Sequence, residues 1–124
     1  MIGYVTLGTD DVARAAKFYD SLLKETGAIR VYESENFVAW GVGEAAPMFS
    51  VTRPFDGNPA TVGNGVMIAL KAENTEEVDT LHAKALALGG ADEGAPGMRP
   101  GGYYCAYFRD LDGNKLNFFH HCQE

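Results

Sequence analysis

"YVTLGTDDVARAAKFYDSLLKETGA", residues 4–28, and "MIALKAENTEEVDTLHAKALALGGA", residues 67–91, follow one pattern twice. In each, a short β-rich run leads through a capping residue into an amphipathic helix that stops at glycine. In the first copy, Val5 and Leu7 fall on one strand face and Tyr4 and Thr6 on the other, as a period of two requires. Asp10 or Asp11 can cap the helix, because a carboxylate accepts from the free N–H groups of the first turn. Val12, Ala15, Ala16, Tyr19, Leu22 and Leu23 form one apolar stripe at helical spacing. Gly27 is placed to end that helix in a left-handed turn. In the second copy, Asn74 followed by Glu77 has the spacing of a capping box. Val78, Leu81, Ala85 and Leu88 supply the stripe, and Gly89-Gly90 stops it. A constant offset of 63 superposes Tyr4–Leu7 on Met67–Leu70, Asp11 on Asn74, Gly27 on Gly90 and Trp40 on Tyr103.

Strand-like runs follow both helices. "AIRVYES" (28–34), "NFVAWGV" (36–42) and "PMFSVT" (47–52) come after the first. After the second come 91–98, a strand that Pro96 opposes, then "GYYCAYFRD" (102–110) and "NKLNFFHH" (114–121), a hairpin across Asp112-Gly113-Asn114. The reading is a duplicated βαβββ unit. Unit one runs over about 1–57 and unit two over about 64–124, joined near "RPFDGNPATVGNG" (53–65), within one domain of residues 1–124. The expected fold is α+β: two βαβββ units paired into an eight-stranded cupped mixed sheet with the helices outside. The inner face would carry Tyr4, Thr6, Met67 and Ala69, in a concavity of the kind that takes small ligands.

Charge narrows the function classes. Ten Lys and Arg stand against 17 Asp and Glu, a net charge of −7. Residues 1–57 hold five basic and eight acidic groups, residues 58–124 five and nine, so no basic stripe marks a nucleic-acid footprint. No apolar run approaches the roughly 20 residues of a membrane span, and "MIGYVTLGTDD" lacks a basic leader. Cys105 and Cys122 make no disulfide framework. Cytoplasmic thiols are the expectation.

Two stretches carry a family resemblance: "VTLGTDDVARAAKFYD" (5–20) and, more specifically, "YFRDLDGNKLNFF" (107–119), with its Phe-Arg-Asp-x-Asp-Gly-Asn turn into the last strand. With them the whole chain resembles the vicinal oxygen chelate superfamily, which includes glyoxalase I, bleomycin-resistance proteins and extradiol dioxygenases. The resemblance implies a homodimer. In metal-dependent members it also implies a divalent ion held from four strands: a His or Gln on the first, an acidic group closing unit one, a His opening unit two and a Glu on the last. Those places correspond to Tyr4, to residues 46–52 without His, Asp or Glu, to Met67 and to Asn117. Such an ion wants carboxylate oxygens or imidazole nitrogens, so neither a metal nor another cofactor is expected.

The remaining candidates each have two readings. By alternation Asn117, Phe119 and His121 share a face and His120 lies opposite, so the two histidines cannot chelate one ion together. His121 is either a polar strand end or a ligand-contacting group at the rim. His82 reads as a core residue of the second helix, and Cys105 as a small buried one. The aromatics Tyr4, Trp40, Tyr103, Tyr104, Tyr107 and Phe119 divide between core and ligand surface. Arg99, in a Gly- and Pro-rich loop, is either solvated or placed to meet a carboxylate or phosphate.

No catalytic set can be assembled. The binding residues expected are Tyr4, Thr6, Trp40, Met67, Arg99, Tyr103, Asn117, Phe119 and His121. The function expected is capture of a small organic molecule in a metal-free pocket, as the resemblance to the acidic bleomycin-resistance branch implies. The alternative is a lyase, isomerase or dioxygenase of the same superfamily, using a metal or metal-independent acid/base chemistry. A purely structural domain is the third.

Overall fold

The computed structural model describes residues 1–43 and 45–122. The chain divides into two compact units, the first Met1–Val62 and the second beginning at Gly63. Unit one contains β1 (Tyr4–Gly8), α1 (Val12–Leu23), a 3₁₀ turn (Lys24–Thr26), β2 (Ile29–Glu33), β3 (Phe37–Gly41) and β4 (Met48–Thr52). Unit two contains β5 (Ile68–Lys71), α2 (Thr75–Ala87), β6 (Ala91–Arg99), β7 (Tyr103–Arg109) and β8 (Lys115–His121). The class is α+β. The eight strands form two mixed sheets of four, ordered β1-β4-β3-β2 and β5-β8-β7-β6. In each, the first strand runs parallel to the last and the other pairs are antiparallel.

Local chemistry sets the helix ends. The Asp11 carboxylate accepts from the Arg14 N–H at 3.0 Å, and Asn74 Oδ1 accepts from the Glu77 N–H at 2.8 Å. Glu77 reaches back to the Glu73 N–H, one residue before the cap. Both helical segments close alike. Gly27 (φ 84°) donates to the Lys24 carbonyl while Ala28 donates to Leu23. Gly89 (φ 106°) donates to Leu86 while Gly90 donates to Ala85. This paired bond pattern needs a left-handed residue, which glycine adopts without Cβ strain.

One face of each sheet is buried under its helix. In unit one Leu7, Val38, Trp40, Phe49 and Val51 are buried, with Ala15, Ala16, Tyr19, Leu22 and Leu23 of α1 against that face. The Tyr19 ring lies 4.7 Å from Phe49 and 5.6 Å from Trp40. In unit two Val78, Leu81 and Ala85 of α2 are buried with Ala106, Phe108, Leu116 and Phe118, and the last two phenylalanines stack at 5.4 Å. Each Val, Leu or Phe among them contributes roughly 1.5–3 kcal/mol on full burial. His82 joins this core, its Nε2 lying 3.1 Å from the Tyr107 carbonyl and 3.2 Å from Asp92 Oδ1.

The structure amends the repeat. The offset of 63 holds for β1 and the caps but becomes 62 at the left-handed glycines, Gly27 and Gly89. Beyond them β6 is nine residues long where β2 has five. Register then pairs Trp40 with Phe49 in unit one and Phe108 with Leu116 in unit two, so Trp40 corresponds to Phe108 rather than to Tyr103. Pro96 does not prevent a strand. It sits where the β6–β7 register shifts, between Gly94 and Gly97, on an edge strand whose missing N–H is tolerated.

The candidate ligand hollow on the second sheet

The face of the second sheet turned away from α2 carries Ala69 and Lys71 of β5, Asn117, Phe119 and His121 of β8, and Tyr103, Cys105 and Tyr107 of β7. Register fixes this: Ala69 stands opposite Asn117, Asn117 opposite Tyr107, Phe119 opposite Cys105 and His121 opposite Tyr103. Six of these residues, all but Lys71 and His121, line a hollow of about 400 Å³ together with Arg99 and Pro100. Asn117, Ala69 and Cys105 lie beside Tyr103, Tyr107 and Phe119, and Arg99 closes one side. The volume is within the ordinary range for small-molecule sites.

Asn117 is the unusual member. It is 4% exposed, and its Oδ1 has no hydrogen-bond partner. Leaving a buried acceptor unpaired costs roughly 1–3 kcal/mol, so such an atom marks a place where a partner is missing. The matching position of the first sheet shows the contrast. There Ser50 stands opposite Thr6 as Asn117 stands opposite Ala69. Ser50 is fully buried too, but its hydroxyl donates to the Val5 carbonyl at 2.6 Å.

The hollow's charge is opposite in sign to the chain's. The Arg99 guanidinium and the Lys115 ammonium each lie 5.4 Å from the Tyr107 ring centroid, close enough for cation–π attraction. Arg99 Nη2 donates to the Ala95 carbonyl, which fixes the guanidinium over the sheet. Among the described residues the salt bridges of unit two join Arg109 to Glu93 and His82 to Asp92, and none of them engages Arg99, Lys115 or Lys71.

Four of the residues expected from sequence come together here: Arg99, Tyr103, Asn117 and Phe119. Arg99 closes β6 rather than lying in a loop. His121 stands beside Tyr103 on the same face without lining the hollow. Its ring is 4.5 Å from Tyr103 and its Nε2 lies 3.0 Å from the Gly101 carbonyl, which requires the proton on that nitrogen. His120 lies across the strand with Nδ1 3.3 Å from the Ala72 carbonyl. Trp40 must be withdrawn as a ligand contact. It is 1% exposed on the helix side of the first sheet, and its indole N–H donates to Asp20 Oδ1 at 2.9 Å. That carboxylate also takes two bonds from Arg30, which hold its pKa below the usual 3.8.

Met67 precedes β5 and does not line the hollow, and Thr6 is exposed on the first sheet. Tyr4 lines a separate, larger cavity of about 680 Å³ within unit one, whose other side chains, including Ile2, Ile29, Val31, Val42 and Met48, are apolar. Tyr107, one of the aromatics divided between core and ligand surface, falls on the ligand side, and Cys105, read as a small buried residue, lines the hollow as well. The alternation that placed Asn117 and Phe119 on one face gives Tyr103, Cys105 and Tyr107 to the same face once the hairpin register is known.

A model of the Glyoxalase/Bleomycin resistance protein/Dioxygenase superfamily matches residues 1–118. The chain belongs to that superfamily. A glyoxalase/bleomycin resistance protein from Albidiferax ferrireducens T118 is 36% identical over 98% of this chain and 99% of its own, with a TM-score of 0.90. The hypothetical protein SA1046 from S. aureus is 28% identical over 97% of this chain and 92% of its own, with a TM-score of 0.76. A lactoylglutathione lyase from Agrobacterium tumefaciens, at 23% identity, 97% and 92% coverage and a TM-score of 0.71, shares the fold. No curated protein matches significantly.

The superfamily's metal-dependent members raise the question of a divalent ion, and this chain's donors do not fit one. The implied positions hold a tyrosine that is 58% exposed, a thioether and a carboxamide. The open face of β4 offers only Met48, Ser50 and Thr52. Among the described residues no three His, Cys, Asp or Glu side chains gather as ligands. Hard divalent ions need anionic oxygens or imidazole nitrogens in a fixed set. Among the described residues, no helix is long and apolar enough to cross a membrane.

Proposed function

We propose that this superfamily member binds a small organic molecule in the hollow of the second sheet, without a divalent ion. The observation that carries the reading is Asn117, which lines a hollow walled by three aromatic rings and whose Oδ1 is buried and unpartnered. Flat rings supply apolar area at little entropic cost, and one unsatisfied acceptor supplies orientation. That combination of apolar wall and few polar groups is what ligand sites generally show. The free thiols of Cys105 and Cys122 fit a cytoplasmic protein, and the superfamily membership fits a homodimer.

Thermal stability of chelator-treated protein tests this. A ligand of the folded state at a hundred times its Kd adds about 2.7 kcal/mol. A panel of aromatic carboxylates, aromatic amines and neutral aromatics is expected to include compounds that raise the midpoint, with the rise lost in Tyr103→Ala. Zn²⁺, Ni²⁺, Mn²⁺ and Fe²⁺ are expected to leave it unchanged. A clear rise with any of these ions, or turnover of methylglyoxal with glutathione, would replace the binding reading with an enzymatic one.

A further inference from the structure

Resting on the binding reading above, we infer that the occupant of the second-sheet hollow is a flat aromatic anion that points an N–H or O–H donor at Asn117. Three independent features specify it. The first is the wall. Tyr103 and Phe119 stand 5.9 Å apart, with Tyr107 opposite Asn117 on the adjoining strand. Their faces favour a planar partner by offset or edge contact.

The second is polarity. Asn117 Oδ1 is an acceptor, and an acceptor is satisfied only by a donor. A molecule that offers another acceptor there leaves two lone-pair-bearing atoms facing each other, and one that offers carbon leaves the acceptor as orphaned as before. The discrimination therefore comes from the penalty of the wrong ligand rather than from a strong bond to the right one.

The third is charge. The chain carries −7, yet among the described residues Lys71, Arg99 and Lys115 on this face enter no salt bridge, and the last two flank the Tyr107 ring at 5.4 Å. Of the neighbouring acids on β6, Glu93 is already held by Arg109 at 2.6 Å and Asp92 lies against His82 at 3.2 Å. Cations beside the hollow draw an anion in, and the guanidinium of Arg99 has donors left for a carboxylate after the Ala95 bond. A cationic ligand, which aromatic walls alone would equally suit, is disfavoured by those same charges.

Three probes of near-identical shape separate the terms: indole-2-carboxylate, with ring N–H and charge; benzofuran-2-carboxylate, with charge and a ring oxygen; and indole, with N–H and no charge. Calorimetric titration of the chelated protein is expected to rank indole-2-carboxylate first, with each of the others at least about tenfold weaker. In Asn117→Leu the preference for indole over benzofuran is expected to fall to about one. In Arg99→Gln the preference for the carboxylate over indole should fall while the N–H preference stays. Circular dichroism and urea midpoints confirm that both variants fold, and a variant that does not is replaced by Asn117→Val or Arg99→Met.

Equal affinity for the indole and benzofuran acids, or an N–H preference that survives loss of the Asn117 amide, would overturn the inference. If all three probes fail while neutral or cationic aromatics bind and lose their affinity in Tyr103→Ala, this inference falls and the binding reading stands. If no organic molecule binds at all, both fall.

Discussion

Replacing Asn117 by leucine should make the empty protein more stable. The two side chains have the same branching and number of heavy atoms, so leucine keeps the shape while exchanging a carboxamide for methyl groups. Asn117 is 4% exposed, and its Oδ1 has no partner. The wild-type protein therefore bears the desolvation of that acceptor, about 1–3 kcal/mol, with no bond to offset it. Leucine removes this cost and adds apolar contact with Phe119, Tyr107 and Cys105, whose Cα atoms lie on the neighbouring positions of the same face. Methyl groups are slightly bulkier than the amide, but Asn117 borders about 400 Å³ of open space, so crowding is relieved. The net expectation is a gain of about 1–2 kcal/mol, read as a higher urea midpoint at unchanged slope. A gain with loss of ligand discrimination is the pattern of a residue kept for function at the expense of stability. A loss of more than about 1 kcal/mol would refute the reasoning, because it would mean that the carboxamide is satisfied in the unliganded protein.

Other perturbations have equally definite outcomes. Asp110→Ala removes a carboxylate that accepts from the Asp112 and Asn114 N–H groups and from Asn114 Nδ2, and should cost roughly 3 kcal/mol in urea unfolding. Gly89→Ala forces a Cβ into φ 106° with Leu111 Cδ2 at 3.1 Å, and should cost roughly 1–2 kcal/mol in the same assay. Asp20, whose pKa Arg30 holds below 3.8, contributes stability that is present above 3.8 and lost as the pH falls through the lowered value. Asp20→Asn should therefore show a flatter acid limb, followed by the fluorescence of Trp40, whose indole N–H the carboxylate accepts.

Much of the architecture is legible in the sequence because its signals are local. Caps at Asp11 and Asn74, glycine stops at Gly27 and Gly89, and apolar stripes at helical spacing each depend on residues within a turn or two. Face assignment in the strands is less legible. Alternation says that Tyr103, Cys105 and Tyr107 share a face, but not which face meets the helix. For β8 the parallel partner β5 settles it, since Leu70 and Phe118 are opposite one another. For Trp40 the rigid offset of 63 gave the wrong partner, because β6 has nine residues where β2 has five and β7 has seven where β3 has five, which shifts the later strands of unit two. The orphaned acceptor could not be read at all. Asn117 was visible as a poor metal ligand, but whether its amide finds a partner depends on packing: Ser50 at the matching place donates to the Val5 carbonyl, while Asn117 Oδ1 meets no donor.

The most direct measurement is a two-dimensional NMR titration of chelator-treated protein with indole-2-carboxylate, following backbone and side-chain amides. The account predicts that the largest shifts fall on Tyr103, Tyr107, Phe119 and the Asn117 carboxamide, and that excess EDTA leaves them unchanged. Shifts confined to Tyr4, Val31 and Met48, or shifts that appear only after a divalent metal is added, would contradict it.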